Sequence, residues 1–85
     1  YLYSQNNQSV PAIKVIDGVR IYIYFFDHNP PHFHAVFAEF EELIAIESLE
    51  TLKGTLPQIK RKKVLSWAKE NQIYLNTKWN EYNSK

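Results

Sequence analysis

Ala12-Ile13-Lys14-Val15-Ile16-Asp17-Gly18-Val19-Arg20-Ile21-Tyr22-Ile23-Tyr24-Phe25-Phe26 is the stretch on which the fold turns. Asp-Gly between two runs of β-branched and aromatic residues is a strong hairpin signal, because a two-residue primed turn needs φ > 0 at its centre. The expectation is a short strand over residues 12–16, a turn at Asp17-Gly18 and a longer strand over residues 19–26. Side chains alternate along a strand. Val19, Ile21, Ile23 and Phe25 therefore share one face, and Arg20, Tyr22, Tyr24 and Phe26 the other.

Working outward, Pro30 and Pro31 lack ladder donors, so residues 27–31 cannot continue a central strand. Strand character returns over residues 32–38 and 41–48, and a short extended piece over 49–53 ends at Gly54. From Pro57 the period changes. Val64, Leu65, Ala68, Gln72, Leu75, Trp79 and Tyr82 recur at helical spacing; Pro57 suits a first helical position and Thr55 a cap. Asn71 is where one long helix would divide into two. Four or five strands followed by helix imply an α+β fold, a small antiparallel meander with one long or two short C-terminal helices packed on one face.

Eighty-five residues, 45% of them hydrophobic, suffice for one small two-layer domain. It is expected over residues 10–85, with residues 1–9 as a flexible tail; the chain starts at Tyr1 without Met, which reads as trimmed. The absence of Cys excludes disulfides and thiolate metal sites and points to the cytoplasm. No run approaches the roughly 18 apolar residues of a membrane span. A net charge of +1 gives no general argument for nucleic acid. Locally, however, Lys60-Arg61-Lys62-Lys63 forms a basic run, and Glu39, Glu41, Glu42, Glu47 and Glu50 form an acidic block. Cations in a helix's first turn oppose its dipole by roughly 0.3–1 kcal/mol each, so this run calls for an acidic partner or for that block.

All three histidines fall in His28-Asn29-Pro30-Pro31-His32-Phe33-His34. Such a cluster suits proton transfer or metal ligation. If Phe33, Ala35 and Phe37 face a helix-covered core, His32, His34 and Val36 face away from it. A simple hairpin over loop 27–31 would set Phe26 opposite His32, Tyr24 opposite His34 and Tyr22 opposite Val36. A two-residue turn at Ala38-Glu39 would set His34 opposite Leu43 and His32 opposite Ala45, with Glu47 continuing on the same face. The candidate constellation is His32, His34, Tyr24 and Glu47, with His28 and Asp27 above it on the loop and Arg20 further along.

These residues together resemble a small bacterial family catalogued as domain of unknown function 4160, over nearly the whole chain from about Pro11 to about Tyr82. The marks are Pro11-Ala12-Ile13, the aromatic strand, the histidine segment, the strand over residues 43–47, Trp67-Ala68 and Trp79. The resemblance implies a partner domain encoded in an adjacent gene, in a module of the toxin–antitoxin or regulatory type. It also implies that the family's histidine motif falls on His28, His32 and His34. Family members tend to carry glycine where this chain has Ala38-Glu39, so a looser turn is expected here.

Three readings of function follow. In the first, the histidine face binds a partner protein, RNA or DNA without catalysis. The second is a metal-independent ribonuclease-like toxin, with His28, His32, His34, Tyr24 and Glu47 as the catalytic candidates. Arg20 or residues Lys60, Arg61, Lys62 and Lys63 would then hold phosphate, and Tyr22 or Tyr24 would stack on a base. The third is a metal hydrolase with His28, His32 and His34 as ligands. The first two need no cofactor; zinc is the ion the third would bring. Against all three stands a purely structural role, with the histidines locking the proline corner.

Overall fold

The computed structural model describes residues 10–84. Five antiparallel strands form one sheet in sequential order: β1 (Lys14–Ile16), β2 (Val19–Tyr22), β3 (His32–Phe37), β4 (Phe40–Ala45) and β5 (Thr51–Thr55). Two helices follow, α1 (Gln58–Glu70) and α2 (Gln72–Asn83). The α+β meander expected from the hydrophobic pattern is the fold. The chain breaks at Asn71, whose φ of −130° lies outside the helix and whose side-chain Nδ2 donates to the Trp67 carbonyl. The C-terminal stripe is therefore two helices. The tail expected over residues 1–9 lies outside the described residues.

The core lies between one sheet face and the helices. Val19, Ile21, Ile23, Phe33, Ala35, Ile44 and Ile46 meet Val64 and Ala68 of α1 and Leu75 and Trp79 of α2. Seven fully buried apolar side chains on the sheet side account for the packing force, at roughly 1.5–3 kcal/mol for each of the larger ones. Asp17 and Gly18 both take positive φ, 49° and 83°, as a primed turn requires.

Several local expectations are corrected. β2 ends at Tyr22 rather than Phe26, because the chain turns at Phe25-Phe26, with Phe26 at φ 57°. Arg20 pairs with Val36 and Tyr22 with His34. The β2–β3 register is thus two residues from the simple hairpin, and the connection is the longer loop 23–31. The expected β3–β4 register holds, with His32 opposite Ala45 and His34 opposite Leu43. Its turn is tight and not loosened: Phe37 pairs with Phe40, and Ala38 accepts φ 53°. β4 stops at Ala45, so Glu47 lies in an exposed turn. The last extended piece runs through Gly54 to Thr55. Pro57 sits at the N-cap of α1, one residue before the first helical position, and the Thr55 hydroxyl donates to the Leu56 carbonyl instead of capping.

Candidate functional site

Loop 23–31 folds back over the far face of the sheet because it is tied down on several sides. The Ile46 amide donates to the Pro31 carbonyl (3.0 Å), extending the β3–β4 ladder by one step. From the end of α2, Asn83 donates to the Tyr24 carbonyl (3.1 Å) and accepts from the Asp27 amide (2.6 Å). The Asn29-Pro30 peptide is cis. Held by these anchors, Asp27 points onto β3, where the alternation of the strand sets His32 and His34 on the face opposite Phe33 and Ala35.

Asp27 Oδ2 lies 3.1 Å from His32 Nε2 and 3.2 Å from His34 Nε2. The other ring nitrogens are engaged as well. His32 Nδ1 donates to the Pro30 carbonyl (2.8 Å), and His34 Nδ1 faces Glu41 Oε2 (2.8 Å). Asp27 Oδ1 accepts from the His28 amide (2.8 Å), so this residue caps the loop and joins the cluster at once. His32 is 5% exposed, His34 3% and the Asp27 side chain 7%. Aromatic rings close the flanks, with Tyr24 4.4 Å from the His34 ring and Trp79 5.3 Å from the His32 ring, centroid to centroid. Burial, with help from the Glu41, Tyr22 and Asp27 charges, pushes the Tyr24 phenol up to about 12.

The residues singled out from sequence are sorted by this geometry. His32, His34 and Tyr24 come together, although Tyr24 does so from the loop and not as His34's ladder partner. Tyr22 stacks on Tyr24 at 5.8 Å, and Arg20 Nε donates to the Tyr22 hydroxyl (3.1 Å), so a strip of three side chains runs along this face. His28 is exposed and contributes its backbone amide; the group whose ligand atoms lie within 4.8 Å of one another is Asp27, His32 and His34. Glu47 is outside the cluster, where its carbonyl accepts from Gln72. Glu41 takes the place expected of it. The β3–β4 register itself points to Glu41, since it pairs with Val36, diagonal to His34 on the same face.

The basic run sits on α1, which covers the opposite face of the sheet. Lys60 and Lys63 both reach Asp17, at 2.9 and 3.0 Å, and their hydrogen bonds and charge hold that carboxyl below the usual carboxylate range. Arg61 Nε donates to Glu42 Oε2 at 2.8 Å. The acidic block thus supplies one of the partners and the hairpin turn the other. Lys62 is exposed. The arrangement does not bring Lys60, Arg61 and Lys63 to the histidines.

Among the described residues, no helix is long and apolar enough to cross a membrane. Neither the curated proteins nor the solved structures include a match to this chain. A family model does match, over residues 18–80, from Gly18 of the primed turn through Asn80. The chain belongs to the family described as domain of unknown function (DUF4160).

Proposed function

We propose that this chain is the binding component of a two-gene module of the toxin–antitoxin or regulatory type, and that it engages a small protein partner. The recognition surface is loop 23–31 with the Arg20, Tyr22 and Tyr24 strip beside it. One contrast carries this reading. The His32 and His34 rings are buried with each nitrogen facing an oxygen atom, whereas Phe25 and Phe26, which precede Asp27 in the chain, are 51% and 79% exposed. Exposed aromatics bordered by polar groups are what a docking patch needs. A general base must reach its proton directly or through one water, and these rings are covered. The ribonuclease-like reading is therefore the second one. A protein partner is favoured over RNA or DNA because three of the four clustered cations are already paired, on the far side of the sheet.

The test is co-expression with the product of the adjacent gene, followed by affinity copurification. Phe26→Asn removes the exposed ring and suits the positive φ at that position; Tyr22→Ala removes the middle of the strip. The wild type should retain the partner and the folded double variant should lose it. Retention by both would refute this surface. RNA cleavage by the wild type that disappears in a folded His32→Ala variant would replace the proposal with the ribonuclease.

A further inference from the structure

The geometry points to a site for one divalent transition-metal ion of the zinc class, formed by Asp27 Oδ2, His32 Nε2 and His34 Nε2. This site does not rest on the partner reading above. Four imidazole nitrogens face oxygen atoms here: the Pro30 carbonyl, Glu41 Oε2, and Asp27 Oδ2 twice. A carbonyl or an ionised carboxylate only accepts. Two neutral rings carry only two N–H groups, so two nitrogen lone pairs would point at oxygen. A dication facing both Nε2 atoms and Asp27 Oδ2 would satisfy those lone pairs at once.

With a metal between the rings, both stay neutral. Each keeps its hydrogen on Nδ1, where Pro30 and Glu41 accept it, and each turns its Nε2 lone pair to the ion. A carbonyl or carboxylate behind a ligating imidazole is the usual support that fixes tautomer and ring orientation. Both histidines have one.

The spacing fits. Ligands about 2.0–2.2 Å from a tetrahedral zinc stand about 3.3–3.5 Å from one another, against 3.1 and 3.2 Å from Asp27 to the two rings. All three donor atoms lie within 4.8 Å of one another. Imidazole with carboxylate suits zinc and its transition-metal neighbours better than magnesium or calcium, which prefer all-oxygen sets. Since Asp27 comes from the loop and the histidines from β3, the ion would clamp loop 23–31 to the sheet. Three protein donors leave a fourth position.

Calorimetric titration of the untagged chain with Zn²⁺ and with Mg²⁺ tests the site, with circular dichroism to confirm that each variant folds. One Zn²⁺ per chain is expected, with Mg²⁺ far weaker. Glu41→Ala should weaken Zn²⁺ binding roughly 10–100-fold, Asp27→Asn and His34→Ala by more, and His28→Ala should leave it unchanged. Nitrogen-15 spectra of wild-type imidazoles provide a readout that no unfolded variant can confuse: Zn²⁺ should move the Nε2 resonances of His32 and His34 and preserve Nδ1–H. Absence of Zn²⁺ binding, wild-type affinity in folded Asp27→Asn, loss of binding in His28→Ala, or unmoved Nε2 resonances would each overturn the proposal.

Discussion

Replacing Glu42 with leucine should destabilise the domain by about 1–3 kcal/mol at neutral pH. Glu42 is fully buried on the helix-covered face of β4. Its Oε1 accepts from the Leu56 amide (3.0 Å), and its Oε2 from Arg61 Nε (2.8 Å) and the Thr51 hydroxyl. Leucine leaves the Leu56 amide stranded in a residue that is itself buried, at about 1–3 kcal/mol. Breaking a buried pair costs about 3–5 kcal/mol when the surviving charge is trapped, but a third of the Arg61 side chain is exposed and can turn to water, so most of that is discounted. Thr51 is exposed and recovers fully. Some of the loss is offset by the apolar side chain. Burial pushes the Glu42 carboxyl up, but the Thr51, Arg61 and Leu56 hydrogen bonds with the Arg61 charge outweigh it and leave the group below its ordinary 4.5. A lowered folded value means that the contribution is present above about pH 4.5 and lost as pH falls through the folded value. Urea unfolding should therefore show a lower midpoint for Glu42→Leu at pH 7, and a gap that narrows in acid. A variant within about 0.5 kcal/mol of wild type at pH 7, or a gap that widens on acidification, would refute the reasoning.

Gly54→Ala should destabilise by more than about 2 kcal/mol, since the position has φ 77° and a Cβ would fall 2.1 Å from the Glu41 carbonyl oxygen; a urea midpoint near wild type would contradict it. Ala38→Gly should do the reverse, raising stability by up to about 1 kcal/mol and the melting temperature by several degrees, because it relieves the φ of 53° in the β3–β4 turn. For Tyr24, a phenol pushed to about 12 keeps its proton more tightly folded than unfolded. Stability it supports is complete below pH 10 and declines as pH rises toward 12, a limb that Tyr24→Phe should flatten in alkaline denaturation.

The meander was legible because two strong local signals agreed. Asp17-Gly18 demanded a primed turn, and the alternation of Val19, Ile21 and Ile23 with Phe33 and Ala35 named the core face. The β3–β4 register was legible for the same reason, as one residue of slip would take Ile44 and Ile46 off the face that Phe33 and Ala35 share. Loop 23–31 was not legible. Ile23 to Phe26 has strong strand propensity, yet Phe26 adopts φ 57° and the ladder stops at Tyr22, an outcome set by tertiary anchors at Asn83, Ile46 and Asp27 that lie up to 59 residues away. His28 and Glu47 looked like members of the cluster because they are close in sequence or in an extrapolated register. Asp27 enters through the fold-back of the loop, which no periodicity encodes, whereas Glu41 was within reach of the register already in hand.

The placement of Asp27 bears on how the two histidines act. One oxygen, Oδ2, faces both Nε2 atoms, so whatever sits between them serves both rings at once. The tie also joins two different kinds of structure: β3, the middle strand of the sheet, and a loop that is anchored as well by two hydrogen bonds to Asn83, one from Ile46 and the buried Ile23 side chain. If the cluster had only to hold the loop down, apolar contacts would do it without desolvating a carboxylate and two imidazoles, and swaps of that kind are often neutral or stabilising. A polar clamp differs in that its strength depends on what fills it. Phe25 and Phe26 stand between Tyr24 and Asp27 in the chain, so the same loop carries the buried polar cluster and the exposed aromatic rings.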